Sequence, residues 1–353
     1  MPKQGIQVDR VSAADLSPDE FVRQYVAENT PVILKGALSE DWAAALRWSP
    51  DNLAQLAPVD ATVRVAPLMA DGRDKWVESA SLWPGSDKAA PLPGVVHDEL
   101  VLAVAAARID VPVTDFFASL RGEGSLPALY ADGAANLQNS FGFLESQIPG
   151  CPSVGSSLIY RRTDLWLGGK TLSTLHFDNY ENLFAQLVGE KEFVLHPPGD
   201  TGYLVDGRLR KAYATWKPPV AGGTQGIFER TAEGYSEETV LNYAVYNINE
   251  PPEEYSERAS KLRQTVVTVR AGELLYLPFG WWHQVRAIPA SGGLCASAAA
   301  FFEPFFVRLQ PKSFSEMGPL LPNPKYRKLC AKLGLDSDSE EETCKQGNTY
   351  GKS

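Results

Sequence analysis

Cysteine is scarce in this chain and never clustered. The four residues Cys151, Cys295, Cys330 and Cys344 lie far apart with no CxxC pair. That excludes a disulfide framework and a zinc knuckle, and leaves them as thiols suited to a reducing compartment. Long apolar runs are missing too. The run Val101 to Ala107, with Leu100 just before it, falls far short of the roughly 20 residues a membrane-spanning helix needs. The opening MPKQGIQVDRVSAADLS lacks the apolar core of a signal peptide. Together these absences point to a soluble intracellular protein with no membrane partner, cytoplasmic and alternatively nuclear. Basic charge is in deficit: Lys and Arg number 33 against 43 Asp and Glu, a net charge of −10. A general phosphate-tracking surface is therefore disfavoured, and nucleic acid with it. A basic partner, or a small anion held in a local pocket, remains compatible. No internal repeat is visible. With 44% hydrophobic and 22% charged residues, the bulk of the chain has an ordinary globular composition, which excludes disorder or a fibrous repeat for most of it.

The first part of the chain reads as helices and short strands. Ser17-Pro18-Asp19-Glu20 is a capping box with proline at the first helical position. Ser49-Pro50-Asp51 opens a second helix, and Thr114 is expected to cap a third with Phe116, Phe117 and Leu120 as its apolar face. Pro31 to Leu34 and Thr62 to Val65 carry the β-branched content of strands. From about Ser156 the period changes to two, and many short strands broken by Gly and Pro argue for an antiparallel sandwich or barrel. The expected organisation is an N-terminal helical and mixed region over 1–150 packing on a barrel, and a β core over 151–310 with a long insertion at 200–262. A C-terminal helical segment over 311–335 follows, and an acidic tail over 336–353 closes the chain. The insertion is a candidate lid. The C-terminal helical stretch could pack on a second copy, making a homodimer, or lie as a surface helix.

Histidine is also rare, with only His97, His176, His196 and His283. The informative segment runs from Ser173 to Lys191 and centres on His176-Phe-Asp178. Residues i and i+2 of a strand share a face, so this imidazole and carboxylate can converge on one ion. Two histidines and a carboxylate on one face of an octahedron leave positions open, which suits Fe(II) and oxygen chemistry. The second histidine should come from another strand, and Leu275-Tyr-Leu-Pro278-Phe-Gly280-Trp281-Trp282-His283 supplies one. Taken alone, His-x-Asp occurs often by chance, and a lone histidine beside tryptophans is more often core than ligand. Lys191, after a Gly189-Glu190 turn, can point into the barrel, where it needs an anionic partner. A neighbouring acid or a bound carboxylate would each serve. His196 reads as structural, and Cys295 as a buried thiol.

With these residues assembled, the segment resembles the JmjC family of Fe(II)- and 2-oxoglutarate-dependent oxygenases. In that family an Asn lies six residues after the first His and a Lys fifteen after it, the positions of Asn182 and Lys191 here. His283 matches the distal ligand. Within the family the likeness is to a lysyl hydroxylase, through runs such as His176-x-Asp-x-Tyr180-Glu-Asn-Leu183, His196-Pro-Pro198 and Arg270-Ala-Gly-Glu273. It reaches upstream through Pro31 to Ala37 and Leu129-Tyr130, covering roughly residues 15 to 305.

The resemblance implies a mainly β protein with flanking helices, built on a cupin-like double-stranded β-helix, or jelly-roll. It implies Fe(II) on His176, Asp178 and His283, with 2-oxoglutarate and O2 as co-substrates. Tyr130, Lys191, Ser173 and Asn182 would serve the co-substrate, Ser173 standing where relatives carry Thr. Tyr180 and Trp282 are candidates for a substrate cleft. The relatives' co-substrate-facing Asn aligns near Ala298, a departure that would loosen the site unless Ser297 replaces its bond. The implied reaction is hydroxylation of a lysyl residue on a protein, with release of succinate and CO2; a GTP-binding protein of the developmentally regulated class is the substrate the resemblance suggests. The alternatives are an N-methyl-lysine demethylase of the same family, and a cupin-like metal-binding protein without turnover.

Overall fold

The computed structural model describes residues 3–5, 7–85, 100–124, 126–133, 135–219, 226–308 and 320–335. His97, residues 311–319 and the acidic tail lie outside the described residues. Between Tyr160 and Phe302 the chain lays down two facing four-stranded antiparallel sheets, a jelly-roll core. One contains, in order, Glu273–Leu277, Glu181–Val188, Cys295–Phe302 and Tyr160–Gly168; the other Arg263–Arg270, Glu190–His196, Trp282–Ile288 and Leu172–Phe177. The first sheet is the larger. Val32–Lys35 extends one of its edges, and Leu129–Asp132 joins its other side through Tyr160–Gly168. Segments upstream of residue 150 thus share a sheet with the core.

Strand alternation decides what faces what. Along Glu181–Val188, Phe184 turns inward between the sheets with Phe193, Leu195, Leu275, Val285 and Phe301. Leu183, Ala185 and Leu187 turn outward, where helices cover them. Both faces are therefore buried, so this strand reads as a nearly continuous apolar run rather than as an alternating one. Each fully buried Phe or Leu contributes about 2 kcal/mol of hydrophobic stabilisation. The outer face is held by Trp42, Trp48, Phe116 and Phe141 on one side, and by Phe21, Tyr276 and Tyr326 on the other.

The capping box at Ser17 forms as the sequence predicts, its hydroxyl accepting from the Glu20 amide and the Glu20 carboxylate accepting from the Ser17 amide. The helix at Pro50–Leu56 forms too. Thr114 is not a cap: the helix runs Val113–Leu120 from Pro112, and Thr114 sits inside its first turn. Proline supplies the extended entry geometry without a side-chain acceptor.

The insertion is only partly a loop. Its strand Leu209–Lys217 pairs in parallel with Val101–Ala106, which pairs antiparallel with Lys75–Ser79. Farther along, the Phe177 amide donates to the Asn242 carbonyl and the Ala244 amide to the Leu175 carbonyl. The insertion is thereby fastened along the outer edge of the Leu172–Phe177 strand. Among the described residues no helix is long and apolar enough to cross a membrane.

Candidate active site

His176 and His283 lie directly opposite each other on neighbouring strands, their ring centroids 4.2 Å apart. Asp178 follows the end of the His176 strand, and its Oδ2 is 3.9 Å from His283 Nε2. One potential ligand atom from each residue falls within 4.8 Å of the others. The backbone prepares both rings in the same way. His176 Nδ1 lies 2.7 Å from the Thr174 carbonyl and His283 Nδ1 3.0 Å from the Trp281 carbonyl. A carbonyl only accepts, so each Nδ1 carries the proton and each Nε2 offers a lone pair. Burial pushes both imidazoles down, His283 to about 4 with help from the neighbouring His176. A neutral imidazole is the form that binds a metal.

The turn before His283 is pinned from inside the sheet. The Gly280 amide donates to the Asp178 carbonyl, and Gly280 takes φ +78°, a conformation glycine adopts without strain. Buried Glu181 accepts from the Tyr276 hydroxyl at 2.8 Å, the Phe279 amide at 2.9 Å and the Phe305 amide at 2.8 Å. In the sequence Glu181 stands only as part of a run. Its role shows once the fold brings residues 276, 279 and 305 around it.

The cluster borders a cavity of about 280 Å³ whose walls include Tyr130, Ser173, Asn182, Phe184, Lys191 and Trp166. Ser173 stands three residues before His176, an odd interval that would place it on the opposite face of a regular strand. A register irregularity between Ser173 and His176 brings both onto the cavity. Tyr130 packs on Gly168, where a Cβ would come within 2.7 Å of its ring. Burial holds its phenol well above the ordinary value, so it remains a protonated donor.

Among the described residues, one amide oxygen in the cavity has no hydrogen-bond partner and one lysine has no counterion. Asn182 Oδ1 is buried and accepts no hydrogen bond. Lys191 is 2% exposed and has no carboxylate beside it among the described residues. Its ammonium instead lies 4.9 Å from the Phe184 ring centroid and 5.9 Å from that of Trp166. Desolvation pushes it down to about 8. Of the two partners open to Lys191, the neighbouring acid is absent. A buried cation in an aromatic cage beside an orphaned amide fits a small anion, and two imidazoles with a carboxylate fit Fe(II).

Other candidates fall elsewhere. Trp282 cannot meet a substrate: it is fully buried, donates through Nε1 to Thr201 and packs on Phe177. As the immediate neighbour of His283 on a strand, it faces the other way. Ala298 also faces away, into the core shared with Leu165, Ala185 and Leu187, so it does not bear on the cavity. Ser297, on the opposite face of the strand from Ala298, donates to Gln186 Oε1 at 2.7 Å. Tyr180 lies under the Arg162 guanidinium and against Phe301 rather than in the cavity wall. His196 is structural in geometry, its Nδ1 3.1 Å from the Arg263 carbonyl.

Sequence reading missed Tyr243 and Lys75. Tyr243 comes from the insertion and stacks on His176, with centroids 5.2 Å apart and planes 14° from parallel. Lys75 Nζ lies 2.5 Å from Asp74 Oδ2 and 3.0 Å from Asp132 Oδ2 at the cavity edge. No local motif marks either residue: Tyr243 reaches the site through a bridge to His176 far back in the chain, and Lys75 through its carbonyl, which accepts from the Thr174 hydroxyl.

Comparison with known proteins agrees with this architecture. The cupin-like domain family matches residues 18–308. The bifunctional peptidase and (3S)-lysyl hydroxylase JMJD7 of Homo sapiens is 30% identical over 280 residues, covering 76% of this chain and 77% of that protein. The lysine-specific demethylase JMJ32 of Arabidopsis thaliana is 26% identical over 308 residues, 82% and 79% of the two chains. JmjC domain-containing protein E of Dictyostelium discoideum is 27% identical over 286 residues, 75% of each. The jelly-roll, the matched span and these relatives lead to one assignment: the chain belongs to the cupin-like JmjC family of oxygenases.

Proposed function

We propose that the chain is an Fe(II)- and 2-oxoglutarate-dependent protein hydroxylase acting on a lysyl residue. The observation that carries this reading is the pairing of two neutral imidazoles and a carboxylate with a buried lysine that has no carboxylate beside it among the described residues, all in one cavity. His176, Asp178 and His283 would hold the iron, and Lys191, Asn182, Tyr130 and Ser173 the co-substrate. Bound iron and 2-oxoglutarate supply the oxidising power for C–H hydroxylation by O2, with succinate and CO2 released. The chain's own residues do the rest. The Thr174 and Trp281 carbonyls keep both Nε2 atoms aimed inward. Lys191 meets the remote carboxylate of the co-substrate, a charge-assisted bond strengthened by the dry surroundings. The aromatic walls exclude water.

The lysyl assignment draws on the human relative, named a lysyl hydroxylase, and on an acidic chain suited to a basic substrate. A GTP-binding protein of the developmentally regulated class is the first protein to offer. The Arabidopsis relative, named a lysine-specific demethylase, supports demethylation as the second reading. Offering methylated and unmethylated lysine peptides and weighing the products separates them. Gain of one oxygen on the unmethylated peptide supports hydroxylation; loss of a methyl group overturns it.

A further inference from the structure

A second and larger cavity adjoins the first. It is a groove of about 1000 Å³, and it shares Lys75, Arg108, Asp132, Asn242 and Tyr243 with the cavity at the His-Asp-His cluster. Because Tyr243 lines both and stacks on His176, the groove runs up to the cluster itself, with no long tunnel between them.

Sheet register gives the groove its shape. Lys75, Ala105 and Tyr213 are direct cross-strand partners, as are Ala103 and Lys211. Directly paired residues share a face, so these side chains form the floor together. Val104, Ala212 and Ala214 turn to the other face, against Trp76 and Trp83. The floor is low along the alanine strand and high on both sides, where Lys75 and Tyr213 rise. Val240, Leu241, Asn242 and Tyr243 line the groove as well. The trough therefore lies between the body of the protein and its insertion.

The charges at the junction are already matched. Asp132 meets both Lys75 and Arg108, the latter at 2.7 Å, and Asp74 meets Lys75. Two carboxylates against two cations leave no spare acid there to bind a substrate ammonium. What the junction offers is shape and hydrogen-bond donors, among them the third N–H of Lys75 and the one side-chain N–H of Asn242 not given to the Phe177 carbonyl. Those donors suit main-chain carbonyls. The inner cavity, at about 280 Å³, is at the small end for a ligand site. It has room for a co-substrate and one side chain, not for a folded surface.

We propose that this groove takes the main chain of an extended polypeptide, laid along Ala103 and Ala105, and delivers one side chain past Tyr243 to the cluster. The selection made at the junction is for an unfolded or looped segment with accessible main-chain carbonyls, rather than for the charge of the target side chain. This inference rests on the oxygenase reading above.

The test uses the full chain with Fe(II) and 2-oxoglutarate. The probe is a pool of short peptides with a central lysine and randomised flanks, read by the mass gain of one oxygen. Ala105 lines the groove and not the inner cavity, so Ala105→Trp fills the trough without touching the co-substrate pocket. Wild type is expected to hydroxylate part of the pool. Ala105→Trp is expected to lose roughly tenfold or more of that turnover, while its anaerobic iron–2-oxoglutarate charge-transfer band still forms. Val266→Trp, on the exposed face of the smaller sheet, controls for a bulky substitution and should match wild type. The inference is overturned if wild type gives the band but hydroxylates no peptide, or if Ala105→Trp works as well as wild type. If wild type gives no band, the oxygenase reading itself falls, and the groove proposal falls with it.

Discussion

Two lysines border the same cavity and are treated in opposite ways. Lys75, at the mouth, is held between Asp74 and Asp132, and those carboxylates keep its ammonium well above the ordinary lysine value despite burial. Lys191, inside the barrel, has aromatic rings for company, and desolvation pushes it down to about 8. A lysine with its counterions built in serves the architecture. A buried lysine lacking them costs stability unless something else brings the negative charge. The difference supports the proposed place of the anionic co-substrate, and it does so without reference to any motif.

The comparison breaks first on stability. Lys75→Met leaves Asp74 and Asp132 without their shared cation, and should lower unfolding free energy by about 3 kcal/mol. Lys191→Met should act in the opposite direction. Its amine in the folded state is near 8 against 10.5 when exposed, so removing it should stabilise the protein at neutral pH by roughly 3 kcal/mol. Denaturant unfolding of both variants without 2-oxoglutarate checks this; two changes of the same sign would break the contrast.

Ligand binding sharpens it. Lys191→Met should weaken 2-oxoglutarate by roughly ten- to a hundredfold, the worth of one charge-assisted bond. Calorimetric titration in the presence of a metal measures the change, and an unchanged affinity would remove Lys191 from the site. Titrating wild type across pH should show the same dependence. The protonated amine attracts the anion, so affinity should be highest below about 8 and fall as pH rises through it.

The smallest effect expected is at His196, which burial holds down to about 4. In the unfolded chain this imidazole takes up a proton below about 6.5, while the folded one resists until about 4. Stability should therefore fall as pH drops through that window. His196→Gln should recover about 1 kcal/mol near pH 5.5, measured as a flatter acid limb in thermal unfolding.

The parts of the site legible in the sequence are those joined by short, regular spacing. His176 and Asp178 lie two apart at one strand end, so periodicity alone puts them on one face, whereas Asn182 stands on the facing sheet and Lys191 on the strand beside that of His283, at spacings that the family resemblance marks. Where the reading failed, it also failed by one residue: Trp282 next to His283, and Ala298 next to Ser297, each face the wrong way because neighbours on a strand alternate. Ser173 needed the strand irregularity, which the sequence does not announce. The groove could not be read at all. Its floor is a parallel pairing of Val101–Ala106 with Leu209–Lys217, and the first of these stood out only as an apolar run. Nothing local links two such segments. The expected lid has the same origin: a polar, proline-bearing stretch reads as a loop, although its Asn242 and Ala244 backbones complete the edge of the Leu172–Phe177 strand.

One cavity holds both a set of side chains ready to bind a metal and a cation waiting for an anion. Anaerobic titration of the purified protein with Fe(II) and then 2-oxoglutarate tests both halves without a primary substrate. The account predicts a visible metal-to-ligand charge-transfer band that His283→Ala abolishes and Lys191→Met shifts to higher 2-oxoglutarate concentration. Iron binding with no band at any 2-oxoglutarate concentration, or a band unchanged in His283→Ala, would contradict it.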